Sequence, residues 1–313
     1  MKNQPLVSVI MNCLDGEKYL SEAVDSVYRQ SYRDWEIVFW DNASTDTSPA
    51  LAQAYDSRLR YYRGEDTIPL GAARNRAIEK AKGDCLAFLD VDDVWLPDKL
   101  EKQIPLFSDP DIGVVFSDAD YVNEAGYRRP LYGRSTPPQG DVHARILFNN
   151  FTCLSTLVIR STAIKEGGCW FDPAIRQIED ADILMRLARE WQFAYSPHVL
   201  CDYRIHTGGL TFSNLLLTHK EEEMLLDKCV QDDPDFEARY GEACNNRIQY
   251  NRAMIQWMLG NNAAARKILR GSIEGQWKRI AVYVGMFFPY AFALRLRSLL
   301  TDRAILHYSA EDV

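Results

Sequence analysis

Three carboxylates fall within four residues at Asp90-Val91-Asp92-Asp93, directly after the apolar run 86–89. A short apolar run of this kind reads as a strand buried on both faces. In extended backbone the side chains alternate, so Asp90 and Asp92 are expected on one face where the strand ends and Asp93 on the other. Two hard oxygen donors side by side suit Mg²⁺ or Mn²⁺, ions commonly held by one or two carboxylates together with the phosphates of a substrate. The competing reading makes Asp92 or Asp93 a cap for the helix that Pro97 opens, with Asp98 favouring its dipole.

A second acidic pair, Glu179-Asp180, heads a helical pattern. Ile183, Leu184 and Leu187 follow Asp180 at i+3, i+4 and i+7, which puts Asp180 at the head of the apolar stripe and directs it inward. A carboxylate so placed can remove a proton from a reacting hydroxyl. As a plain surface feature the pair would only favour the helix dipole. Asp118 and Asp120 form a further strand-exit pair, followed by the hairpin signal Asn123-Glu124-Ala125-Gly126, and read as a turn or acceptor-side feature.

The elements that must position these groups alternate. Strands are expected at 6–11, 35–40, 59–62, 86–89 and 113–117, and helices at 17–30, 72–82 (closed by Gly83 at C′) and 97–107. Such alternation makes a mainly parallel sheet wound with helices, with ligands at the carboxyl ends of the strands. Asp15, Asp41, Asp90 and Asp92 all fall there. The first strand carries no Gly-x-Gly-x-x-Gly and the chain no Gly-x-x-x-x-Gly-Lys-Ser/Thr, so neither a dinucleotide fingerprint nor a P-loop is present.

The chain has 313 residues, 47% of them hydrophobic, enough for one large α/β domain with an appendage. Its net charge of −8 argues against nucleic acid as partner. Seven scattered cysteines without a Cys-x-x-Cys pair indicate neither a disulfide framework nor a zinc site, and fit a reducing, cytoplasmic setting. The run 6–11 is too short for a secretory signal.

Taken together, Val7-Ser8-Val9-Ile10, Asp15-Gly16-Glu17-Lys18-Tyr19-Leu20, Gln30-Ser31-Tyr32, Trp35-Glu36-Ile37-Val38, Asp41-Asn42-Ala43-Ser44-Thr45-Asp46, Ala72-Ala73-Arg74-Asn75 and Phe88-Leu89-Asp90-Val91-Asp92-Asp93 resemble the family 2 glycosyltransferases. The likeness covers about residues 5–212. It implies a GT-A fold, an inverting and metal-dependent transfer, and a nucleoside-diphosphate sugar as donor, a UDP-sugar foremost. By the same resemblance Asp41 would accept a hydrogen bond from the base, and Asp15 would approach base or ribose. Arg74 would reach base or diphosphate, and on the bland reading is a helix-surface charge. Asp90 would contact the ribose, with Val91 beside it, and Asp92 would hold Mn²⁺ or Mg²⁺. Glu179-Asp180 resembles the family's Glu-Asp motif, with Asp180 the inferred base; one base and no second carboxylate nucleophile means direct displacement, by analogy with inverting glycosidases. His206, in Tyr203-Arg204-Ile205-His206, would complete the metal site or bind the diphosphate. A departure is Asn12-Cys13-Leu14-Asp15, where the family commonly has Pro-Thr-Tyr-Asn, so a leucine replaces the aromatic wall for the base.

The expected organisation is a catalytic domain over 1–212, with a nucleotide-sugar half at 1–117 and an acceptor half at 118–212, and a helical region over 213–313. Between Arg266 and Arg303 eight basic residues face two acidic ones, giving +6 and leaving −14 for the rest. The apolar segment 280–294 is shorter than the roughly 20 residues of a membrane span. Residues 278–300 therefore suit either an amphipathic contact with the inner face of a membrane, where a lipid-linked glycan acceptor would be met, or a helix packed on the protein. Two rival functions are a haloacid-dehalogenase-type phosphatase built on Asp90-Val91-Asp92, and a non-catalytic module binding nucleotide-sugar or glycan.

Overall fold

The computed structural model describes residues 4–133, 135–146, 150–206, 214–232, 235–270 and 277–293. The chain divides into two compact units, Met1–Ile205 and His206–Val313.

In the first unit, β1 (Val7–Cys13), α1 (Leu20–Tyr28), β2 (Trp35–Asp41), α2 (Ser48–Gln53), β3 (Leu59–Arg63), α3 (Leu70–Lys80) and β4 (Cys85–Phe88) follow one another. Then come β5 (Val94–Trp95), α4 (Lys99–Gln103), β6 (Ile112–Val122), β7 (Arg128–Pro130), α5 (His143–Ile146), β8 (Val158–Arg160), α6 (Ser161–Lys165), α7 (Glu179–Leu187) and β9 (Gln192–Arg204). The sheet runs β3-β2-β1-β4-β8-β6-β9-β5, with β7 on β6. The β3-β2-β1-β4 half is parallel. Beyond β4, β8 enters antiparallel to both β4 and β6, while β9 runs parallel to β6, so the whole sheet is mixed. Continuous burial along β1 and β4 is why those strands are apolar without alternation.

Three local expectations are revised. The predicted helix 97–107 is only α4 followed by a 3₁₀ turn, Ile104–Ser108, because Pro105 cannot supply an N–H within a helix. The strand expected at 113–117 extends from Ile112 to Val122, so Asp118 and Asp120 lie within it. Asp118 accepts the N–H groups of Ala119 and Tyr132, and Asp120 pairs with Arg128. Gly83 does not cap α3, whose last turn is followed by extended Ala81. A Cβ at Gly83 would lie 2.5 Å from the Ser8 nitrogen, and its own N–H donates to Ser8 Oγ; close approach to β1 explains the glycine.

The second unit is helical: α8 (Leu215–Asp232), α9 (Phe236–Met258), α10 (Asn262–Leu269) and α11 (Trp277–Gly285). Ala253, Trp257, Ala265, Leu269 and Met286 form a core of its own. The Trp257 indole donates to Phe288 O and its ring meets Tyr290 edge-on at 5.0 Å. Among the described residues no helix is long and apolar enough to cross a membrane. Asn149, Gly208, Gly209, 294–300 and His307 lie outside the described residues.

Candidate active site

The strand ends collect the predicted residues, but in different states. Residues 90–93 are not extended. Asp93 N–H donates to Asp90 O at 3.1 Å, closing a turn, and so the alternation expected for Asp90 and Asp92 does not apply. Asp90 reaches Arg74 at 2.9 Å, while Asp93 turns inward, accepting Ser155 Oγ at 2.5 Å and the Arg204 N–H at 2.9 Å. Val91 packs over Gly16 at the end of β1, where an added Cβ would meet it at 3.0 Å.

Arg74 is not a surface charge. It is 3% exposed on the inner face of α3 and bridges Asp90 to Glu179 at the first turn of α7. Helix α3, the turn after β4 and the start of α7 are thereby tied together. Asp180, next in the chain, is half-buried: one oxygen accepts the Asn150 amide at 3.0 Å and the other the Ala181 N–H at 2.8 Å. Of the acidic pair it is Glu179 that is the more deeply buried, and Asp180 that keeps an exposed edge.

Electrostatics separate these groups from ordinary carboxylates. Burial raises Glu179 to about 7, with Arg74 opposing and Asp180 adding to the rise. Asp180 and Asp90 are also raised, again chiefly by burial and against the pull of Arg74. Asp93 is pushed well up by burial and by the charges of Asp92 and Asp90. Glu179, displaced this way, is poised to exchange a proton near neutrality.

Asp15 and Asp41 serve the loops around the site. Asp15 Oδ1 accepts Thr45 N–H at 2.7 Å and Thr45 Oγ1 at 3.2 Å, and the Asp15 N–H donates to Ser44 Oγ, lacing the β1 and β2 exits together. Both Asp15 and Ala43 hold a positive φ, 51° and 67°, a conformation L residues adopt at a cost of about 1–2 kcal/mol. Asp41 is wholly buried; Ser44 N–H, Tyr61 OH and Arg63 all donate to it.

Three residues were given no individual role by the sequence. Asn150 and Ser155 fall in the segment 149–155, expected only as a loop bearing on acceptor specificity; Ser155 lies in the 3₁₀ turn Leu154–Thr156. Arg204 stood within a recognised segment, and its task is now visible: Nε donates to Asp92 O at 2.9 Å, another nitrogen to Glu22 at 2.7 Å, and the guanidinium lies 4.5 Å from the Tyr19 ring. With the Arg204 N–H on Asp93, this clasps the turn from behind.

For a metal, the described residues contain no ready-made cluster of three ligating side chains. The donor set still suits a hard divalent ion of the substrate-assisted kind, since Asp90 and Asp92 bring two carboxylates to one turn while Asp93 is turned inward. His206 begins the second unit, and its part as a ligand stays an expectation from the resemblance.

Residues 8–168 match the family model described as glycosyl transferase family 2. The chain belongs to that family. A putative teichuronic acid biosynthesis glycosyltransferase, TuaG of Bacillus subtilis, is 31% identical over 213 residues, 66% of this chain and 82% of the relative. WfgD of Escherichia coli, a UDP-Glc:alpha-D-GlcNAc-diphosphoundecaprenol beta-1,3-glucosyltransferase, is 31% identical over 158 residues, 50% of this chain and 61% of that protein. Among solved structures, the mannosyltransferase PcManGT of Pyrobaculum calidifontis, in complex with GDP-Man and Mn²⁺, superposes with a TM-score of 0.62 at 19% identity, covering 97% of this chain and 86% of that one. This glycosyltransferase thus has the GT-A fold, with a helical C-terminal region. The phosphatase alternative finds no support: Asp90 follows the fourth strand and is paired with Arg74.

Proposed function

We propose that this glycosyltransferase moves a sugar from a nucleoside diphosphate, UDP foremost, to a hydroxyl of a lipid-linked glycan during cell-surface polysaccharide assembly, with inversion at the anomeric carbon. The observation that carries the reading is Asp180. It is a half-buried carboxylate of raised proton affinity, held by Asn150 and Ala181 and tied through Glu179 and Arg74 to the Asp90–Asp93 turn.

In this reading Asp180 takes the acceptor's hydroxyl proton as that oxygen bonds to the anomeric carbon. The bond from that carbon to the β-phosphate oxygen breaks, and the nucleoside diphosphate leaves with the bonding pair. No covalent intermediate on the protein is required, and a single displacement inverts the centre. Arg74 fixes the distance between donor turn and base. Asp92 would hold Mn²⁺ or Mg²⁺, an ion that would supply stabilisation of the charge on the leaving diphosphate. Asp15 and Asp41 shape the base and ribose pocket through the laced loops, with Leu14, 49% exposed, beside them.

The catalytic part would be 1–212, acting on the cytoplasmic side, with 213–313 serving acceptor access. The donor class in the named relatives, UDP-Glc for WfgD and GDP-Man for PcManGT, supports a nucleotide-sugar. Calorimetric titration with a panel of nucleoside diphosphates and nucleotide-sugars, with Mn²⁺, Mg²⁺ or chelator, tests the donor site. One nucleotide should bind with metal and lose at least tenfold in affinity in Asp92→Asn, in line with loss of a charged ligand (~1.4 kcal/mol or more). Binding of no nucleotide, or identical binding by the variant, would overturn the assignment.

A further inference from the structure

The segment closing the second unit has two apolar faces, and a folded monomer needs one. From Ala281 to Ala293 no residue is charged. Met286 is fully buried, and Val282, Tyr283, Tyr290 and Ala293 pack beside it on the Trp257 and Leu269 core. That face is complete. Yet Val284, Phe287, Phe288 and Phe292 point away from the core and are 55%, 60%, 46% and 48% exposed. The Phe288 and Phe292 rings lie 5.3 Å apart, so the aromatic side chains form a patch and not isolated exposures. Contiguous exposed aromatic surface on a soluble protein marks an interaction site.

The charge around the patch selects its occupant. Arg266 lies 4.4 Å from the Phe287 ring and donates to Met286 O, which fixes a guanidinium at the edge of the aromatics. Lys267 on the same helix, α10, and Arg270 just after it are exposed. Along the sequence, 266–303 carries +6 while the remainder of the chain carries −14. An acidic chain that gathers cations beside exposed aromatics is attracted to an anionic surface there. Aromatics flanked by cations, without a span-length helix, are the make-up of an element lying in a lipid interface.

We propose that Val284, Phe287, Phe288 and Phe292, with Arg266 at their edge and the exposed Lys267 and Arg270 close to it in the chain, dock this protein on an anionic lipid surface. The inference deepens the membrane-side reading above by naming the residues that make the contact, but it is read out without donor, acceptor or metal, so it stands or falls apart from the transfer chemistry.

The test is co-sedimentation of the full chain with vesicles of phosphatidylcholine alone and of phosphatidylcholine mixed with phosphatidylglycerol, at low and high salt. The wild type should pellet with the anionic vesicles, bind the neutral ones at least about tenfold more weakly, and be released by salt. Combined Phe287→Ser, Phe288→Ser and Phe292→Ser should weaken anionic binding by more than about tenfold. Combined Lys267→Glu and Arg270→Glu should abolish the preference for anionic lipid, and this second variant leaves the aromatics and the core untouched should the first fail to fold. Equal pelleting with both vesicle types, no pelleting, or wild-type binding by both variants would overturn the proposal. So would a lipid-free dimer that the serine variant dissociates, since the patch would then belong to a second copy of the chain.

Discussion

Glu36, at the start of the parallel strands, and the acids gathered near their far ends are all withdrawn from water, and burial leaves them in opposite states. At the starts of the strands Glu36 accepts Ser8 Oγ at 2.7 Å, the Lys82 N–H at 2.8 Å and Arg60 at 2.8 Å. Burial alone would raise its proton affinity, yet these donors hold it below the ordinary glutamate range. At the far ends Asp90, Asp93, Glu179 and Asp180 are raised, because burial is opposed by fewer donors and compounded by neighbouring negative charge. Glu36 staples β1, β2, β3 and the α3–β4 connection, so its charge is a structural asset. The far cluster holds unfavourable charge that a substrate, a proton or a cation can relieve. A site is distinguishable from a staple by that incomplete compensation, since depth of burial is common to both.

The largest expected effect follows from the far end. Asp180→Asn keeps the size and one of the two acceptor oxygens but cannot take a proton. Turnover should fall by about 100-fold or more with nucleotide affinity unchanged. Steady-state kinetics alongside calorimetry would check it; unchanged turnover would remove Asp180 from the chemistry and leave a binding module.

That prediction was open to the sequence, and others were not, for definable reasons. The acidic positions, the strand-helix alternation and the helix headed by Glu179 were legible, because apolar runs and periodicity report directly on which faces are buried. The direction of each acid was not. Asp90–Asp93 was read as extended chain, but Ser155 and Arg204, 62 and 111 residues away from Asp93, draw it into a turn. For Arg74 the sequence shows a charge and not the two carboxylates, Asp90 and Glu179, that it bridges. Asn150 was visible only as part of a loop expected to bear on the acceptor, not as the partner of Asp180. The antiparallel entry of β8 was hidden for a similar reason: a three-residue strand carries too little pattern to reveal its partner.

The near end should respond to substitution as stability and not as activity. Glu36→Gln retains an acceptor for Ser8 and Lys82 but presents an amide to Arg60, and should lower unfolding free energy by about 2 kcal/mol. Turnover per folded molecule should be unchanged; a loss there would break the division between the two ends. The pH dependence carries the same contrast. Glu36 is lowered in the folded state, so its contribution is present above the ordinary glutamate range and is lost as pH falls through its folded value. Glu179 is raised to about 7, so the folded state binds the extra proton first and stability increases as pH falls from about 7 toward the ordinary range. The wild-type melting temperature should therefore rise on mild acidification and then fall, and Glu36→Gln should flatten the fall while keeping the rise.

The smallest effect sharpens the comparison, because Arg204 is built like the staple but stands behind the site. Its guanidinium holds Asp92 O and Glu22 over the Tyr19 ring, while its backbone N–H holds Asp93. Arg204→Lys preserves the charge and the backbone bond, but a single ammonium cannot span Asp92 O and Glu22 as the planar fork does. The turn should loosen without unfolding, since Ser155 still anchors Asp93. Metal-dependent nucleotide affinity is then expected to weaken about tenfold, or about 1.4 kcal/mol, with metal-free affinity nearly unchanged. Glu22→Gln, which removes one arm of the clasp, should shift the same ratio in the same direction by less. A merely structural residue would lower both affinities together and the melting temperature with them; calorimetry with and without chelator, set beside the melting curves, separates the two roles.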